Sequence, residues 1–225
     1  MNETPTLYQY LSTVANPWLQ IKYSHPALSQ LFDGTLDPRI MRYWLEQDYL
    51  YLFYYARSFE RLASMASNES ISTLTDGAHY TLNTELPQLE YLGSLFSTEY
   101  KTVSMGKSCR DYTNYLETHA RDYDSGIISL IPCMMGFAVL GLSITPPEEP
   151  RYRRWLEIYS AADFQGYTDQ YSRIVNNLTI SHNEAKAIFV QGIQHEISFW
   201  DEAYQSVEMP AGSNMKKFPT NRPDR

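Results

Sequence analysis

The run Asp37-Pro38-Arg39-Ile40-Met41-Arg42-Tyr43-Trp44-Leu45-Glu46-Gln47-Asp48-Tyr49-Leu50-Tyr51-Leu52-Phe53 decides the fold class. Asp37 is a good N-cap, and Pro38 falls at the first helical position, where a missing N–H costs nothing. Apolar residues then recur at helical spacing, and the pattern continues to about residue 67 with apolar groups on most sides. Such a helix belongs at the centre of a protein.

Working outward, the same period predicts helices over about 5–22 and 25–31, with a turn at Asp33-Gly34-Thr35. Further helices are expected over about 70–96, 108–122, 125–144, 150–177 and 181–205. Thr145-Pro146-Pro147 stops one of them, because consecutive prolines cannot continue the hydrogen-bond ladder. Ser181-His182-Asn183-Glu184 starts another as a capping box. No strand pattern, repeat or linker interrupts the series. The expectation is an all-α chain with one helical domain over 1–206 and a flexible Pro-, Gly-, Asn- and Lys-containing tail over 207–225.

Composition narrows the function classes. The chain has 225 residues and a net charge of −8, with no basic cluster beyond Lys216-Lys217, so nucleic acid is a poor partner. No stretch approaches 18 consecutive apolar residues and no secretory leader pattern opens the chain, which points to a cytoplasmic protein without a membrane partner. Cys109 and Cys133 are the two cysteines, expected as free thiols in a reducing compartment. The 19 tyrosines suit half-buried polar pockets or subunit interfaces as well as core filler.

Three positions put reactive groups where burial is expected. Asp48 shares a helix face with Tyr51 and Tyr55, which sets a carboxylate beside two hydroxyls. On spacing alone, a buried aspartate satisfied by a neighbouring helix explains this at least as well. Cys133 follows Pro132, which disturbs the local ladder; a buried cysteine is more often an inert small hydrophobe than a nucleophile. Glu196 shares a face with Phe199, Trp200 and Tyr204, where apolar surroundings favour proton transfer, although a surface glutamate at the edge of an amphipathic helix fits equally. The five histidines are scattered, no Glu-x-x-His occurs and no phosphate-binding glycine loop is present, so neither a metal nor another cofactor is expected.

In order along the chain, His25-Pro26, Asp33-Gly34-Thr35-Leu36 and Tyr43 to Leu52 with Gln47-Asp48-x-x-Tyr51 resemble the N-terminal signature of the TenA/thiaminase II family. Leu130-Ile131-Pro132-Cys133 is similar to its nucleophile segment. Tyr152-x-x-Trp155-Leu156-x-x-Tyr159-Ser160 and Glu196-x-x-Phe199-Trp200-x-x-Ala203-Tyr204 resemble its later helices. The resemblance, which runs from about Thr6 to Gln205, implies a haem-oxygenase-like multi-helix bundle without haem, assembled as a homotetramer. It implies hydrolysis of 4-amino-5-aminomethyl-2-methylpyrimidine to the hydroxymethyl compound and ammonia, and in many members cleavage of thiamin. It further implies Cys133 as nucleophile, Asp48 as the group holding the pyrimidine ring and Glu196 as proton carrier. Tyr51, Tyr112, Tyr159 and Phe199 would contact substrate or its catalytic neighbours, with Tyr115 able to exchange with Tyr112 by a slight change of register. Phe137 departs from a tyrosine common in bacterial members and makes that pocket wall less polar, while Cys133 assigns the chain to the cysteine-containing branch. Two other readings remain: a non-catalytic pyrimidine-binding or regulatory relative, and a redox enzyme on the same fold.

Overall fold

Helix α1, Leu7–Tyr23, opens on a capping box in which Thr6 and Gln9 satisfy each other's backbone N–H groups. The structure is a computed structural model and describes residues 4–208; the expected tail beyond that lies outside the described residues. After α1 come α2 (Pro26–Phe32), α3 (Pro38–Ala63), α4 (Asn68–Tyr80), α5 (Leu86–Leu95), α6 (Lys107–His119), α7 (Tyr123–Ser143), α8 (Pro150–Ser160), α9 (Ala162–Asn176) and α10 (His182–Glu208). No strand occurs among the described residues. The Asp37 carboxylate accepts the Arg39 N–H at 2.9 Å, and Pro38 is the first helical residue. Gly34, with φ of 75°, makes the preceding turn in a conformation that other residues adopt with strain.

Two expected helices are each broken once, and both breaks bear on the site. The segment expected as one helix over 70–96 is α4 and α5 joined by a π-helical turn, Thr81–Glu85. A π turn adds a residue and rotates the next helical segment about the axis, and such turns gather at functional sites. The segment expected as one helix over 150–177 breaks at Ala161, whose backbone is extended. There the Gln165 side-chain amide donates to the carbonyls of Tyr159 (2.7 Å) and Ala138 (3.0 Å), replacing a bond of the helical ladder and tying the break to α7.

Helix α7 is the centre of the bundle, packed by α10, α8, α9, α6 and α3. Among the described residues it is the one helix long and apolar enough to cross a bilayer, with a mean hydropathy of 2.0, but 78% of that window is buried inside the protein. It is apolar on most sides because protein covers most of it. Three buried or half-buried tyrosines brace its backbone: Tyr171, Tyr55 and Tyr23 donate to the carbonyls of Ile127, Leu130 and Gly136 at 3.2, 3.1 and 2.7 Å. Those bonds flank Pro132, which has no N–H to give to the ladder. A side chain at Gly141 would run into the backbone of Tyr159, so glycine there lets α7 and α8 close together.

Candidate active site

Helix α3 projects Trp44, Asp48 and Tyr51 in successive turns toward one interior cavity. Tyr112 enters from α6, Cys133 and Phe137 from α7, and Glu196, Phe199 and Trp200 from α10. These side chains line one small, tightly packed pocket. Tyr159, also expected at the site, does not line that space itself; it stacks on the back of Phe137, with ring centroids 4.4 Å apart. Asp48, Cys133 and Glu196, from three helices, therefore share one cavity. The expectation that Asp48, Tyr51 and Tyr55 share a face holds, although the Tyr55 hydroxyl is spent on the Leu130 carbonyl. The Tyr115 hydroxyl is likewise spent, donating to Ile188 at 2.8 Å, so Tyr112 is the residue that faces the site.

The walls are aromatic. Trp44 stacks on Trp200 at 4.8 Å and meets Phe137 and Phe199 edge-on. Tyr112 lies between Tyr51, at 4.7 Å, and His195, at 5.4 Å. The hydroxyls of Tyr51 and Tyr112 are buried and complete no hydrogen bond within the protein, although Tyr112 lies close to both Tyr51 and Glu196. The two hydroxyls thus stand beside the thiol and the Glu196 carboxylate in the same pocket.

Burial pushes the Cys133 thiol well above its ordinary range, and Glu196, Glu85 and Asp48 push it the same way; Lys22 opposes them. The nucleophile candidate is thus a thiol when the site is empty. Burial also raises Asp48 well above the usual carboxylate range, helped by Glu85 and Glu196. Asp48 is thereby biased toward its protonated form, which can donate one hydrogen bond while accepting another. Burial keeps Tyr51, Tyr112 and Tyr159 as neutral hydroxyls. Cys109 is free like Cys133 but sits apart from the cavity lining, its sulfhydryl donating to the Gln47 carbonyl at 3.4 Å.

Two charged residues of the site were not expected from the sequence. Lys22 of α1 is 1% exposed, and its ammonium bonds Glu196 Oε2 at 2.8 Å. That ammonium also stands 4.3 Å from the centre of the Phe137 ring. Glu85 ends the π turn, and burial lifts it to about 7. Its charge reaches Asp48, Cys133 and Tyr159, and none of the described residues forms an ion pair or hydrogen bond with it. Among the described residues no three His, Cys, Asp or Glu side chains converge closely enough to ligate a metal ion.

The chain is similar to known proteins over most of its length. Residues 13–206 match the model of the TENA/THI-4/PQQC family. An aminopyrimidine aminohydrolase of Halalkalibacterium halodurans is 27% identical over 84% of this chain and 92% of its own length. Another, from Helicobacter pylori, is 27% identical over 81% of this chain and 91% of its own. Among solved structures, a TenA homologue from P. horikoshii OT3 superposes with a TM-score of 0.84 at 18% identity, covering 89% of this chain and 99% of that one. A haem-oxygenase-like protein of Shewanella denitrificans gives 0.71 at 11% identity, over 92% and 95% of the two chains.

Proposed function

The chain belongs to the TENA/THI-4/PQQC family, and on that premise we propose that it is an aminopyrimidine aminohydrolase of thiamin salvage. It converts 4-amino-5-aminomethyl-2-methylpyrimidine and water to 4-amino-5-hydroxymethyl-2-methylpyrimidine and ammonia. The observation that carries this reading is the convergence of Asp48, Cys133 and Glu196 on one aromatic-walled cavity, in a chain similar to two named aminohydrolases along nearly their whole length.

The chemistry rests on the protonation states of the three groups. A flat, electron-poor pyrimidine packs between the aromatic walls of Trp44, Phe137 and Phe199. Protonated Asp48 donates to a ring nitrogen and accepts from the exocyclic amine, a two-point grip that an ionised carboxylate cannot make. As Cys133 sulfur adds to the ring, its proton passes to Glu196 and the Asp48 proton moves onto the ring nitrogen. Glu196 then gives its proton to the amine on the methylene, which leaves as ammonia. Water adds to the exposed methylene while Glu196 takes a proton from it. Sulfur departs and takes back the proton from Glu196, which restores the thiol and the carboxylate, and the ring nitrogen returns its proton to Asp48. Tyr51 and Tyr112 supply the neutral donors that orient these groups, and Tyr159 backs Phe137.

Thiamin carries its leaving group on the same methylene, so we extend the reading to thiamin cleavage, with Phe137 offering an apolar wall to the thiazolium. We also read the protein as a cytoplasmic homotetramer. Val139 and Leu142 on α7 are 37% and 70% exposed, as an interface helix would be in the free protomer. Sedimentation showing only a 26.1 kDa species would overturn that assembly.

The test is incubation with the aminomethylpyrimidine and with thiamin, measuring ammonia and thiazole alcohol. Ammonia release at enzyme-catalysed rates is expected. Tight pyrimidine binding without turnover would make the protein a non-catalytic pyrimidine binder instead.

A further inference from the structure

Lys22 lies on the buried stripe of α1, below Leu7, Leu11, Ala15 and Leu19, where a charge is costly unless paired. It has one ion-pair partner, Glu196 Oε2. Gly136 lies close beside it: a Cβ there would stand 3.2 Å from Nζ, and the ammonium would have to give by a few tenths of an ångström. Phe137, the next residue, gives the ammonium an aromatic face at 4.3 Å. Three neighbouring features thus accommodate one cation deep in a site otherwise furnished with acids. Glu196 bonds it directly, and its charge reaches the carboxyl of Asp48 and the thiol of Cys133. Among the described residues Lys22 is the cation that acts on both Asp48 and Cys133.

A carboxylate has two oxygens, and a proton carrier must present one of them to substrate. Lys22 occupies Oε2, so Oε1 is left for exchange. We propose that Lys22 is the positioning residue of the catalytic carboxylate, holding Glu196 Oε2 and so selecting Oε1 as the exchanging oxygen. This rests on the reading of Glu196 as the proton carrier.

The test uses the full chain and the aminomethylpyrimidine. Lys22→Met keeps the length of the side chain and removes the charge. Its kcat should fall at least about a hundredfold with KM changed only a few-fold. A loss carried by KM or by the melting temperature rather than by kcat would mean that Lys22 only supports the fold, and a rate within threefold of the parent would remove it from the site; either overturns the proposal. Gly136→Ala decides the matter if Lys22→Met fails to fold, because it crowds the ammonium while keeping both charges. A threefold to tenfold loss of kcat, with a melting curve unchanged, is expected there, and an unaltered kcat would overturn the proposal. Glu196→Gln separates the two readings: full activity in that variant refutes Glu196 as proton carrier, whatever Lys22 does.

Discussion

Glu85→Gln should stabilise the protein above neutral pH and leave it nearly unchanged in acid. An accessible glutamate titrates near 4.5, whereas burial in the folded chain lifts Glu85 to about 7. Below the lower value the carboxyl is protonated in both states and folding costs nothing extra. Above the higher value it is charged in both, and the folded state bears the cost of holding a desolvated anion. In between, the folded protein binds more protons than the unfolded chain, so stability falls as pH rises. At about 1.4 kcal/mol per pH unit the full penalty is roughly 3 kcal/mol, of which most is incurred between pH 5 and pH 8. Glutamine keeps the shape and removes the charge. For a chain of this size, each kcal/mol moves the melting temperature by roughly 2–4 °C. The variant should therefore melt higher than the parent at pH 8 by roughly 6–12 °C, with the gap shrinking to a few degrees at pH 5. Because Glu85 also raises the Cys133 thiol, the variant should react faster with iodoacetamide at pH 8. A gap of equal size at both pH values, or a variant less stable at pH 8, would refute the argument that a half-buried, unpaired carboxyl in the π turn is held above its ordinary range.

Cys133→Ser should fold normally, since the two side chains are close in size, yet lose hydrolysis by on the order of a thousandfold or more, because a hydroxyl ionises far less readily than a thiol. Alkylation should inactivate the parent at Cys133 alone and be blocked by bound pyrimidine, while Cys109→Ser stays active and equally sensitive; mass mapping of the label checks both. Asp48→Ala should raise KM as well as lower kcat, with a combined loss on the order of 2–5 kcal/mol in steady-state kinetics, as expected when one partner of a buried hydrogen-bonded pair is removed. Gly141→Ala should cost roughly 1–3 kcal/mol in a denaturant titration, because its methyl meets the Tyr159 backbone and the helices must separate.

What the sequence made legible, and what it hid, has a physical basis in how each element is held. The helix of Pro38–Ala63 is announced by its own cap, its proline and its period, all local signals. The π turn before Glu85 has no such signal: Thr81–Glu85 is held by packing against α3 as well as by its neighbours in the chain. The break at Ala161 is likewise stabilised from afar, by the Gln165 amide reaching α7. The acidic members of the site stood out because Asp48 and Glu196 interrupt apolar faces. Lys22 interrupts one in the same way, at the end of the stripe Leu7, Leu11, Ala15, Leu19. It is hard to see there because a lysine closing a helix normally reaches water, and near a C-terminus it also complements the helix dipole. Only the partner 174 residues away makes its burial tolerable. A charge at the end of an apolar stripe is therefore informative when a second charge of opposite sign interrupts another stripe in the same chain. The two interruptions are best explained by each other, since each buried alone would cost more than the fold could bear. Glu85 carries no such signal, since Thr81, Asn83 and Thr84 precede it in a polar stretch; with no ion-pair partner among the described residues, desolvation lifts it to about 7.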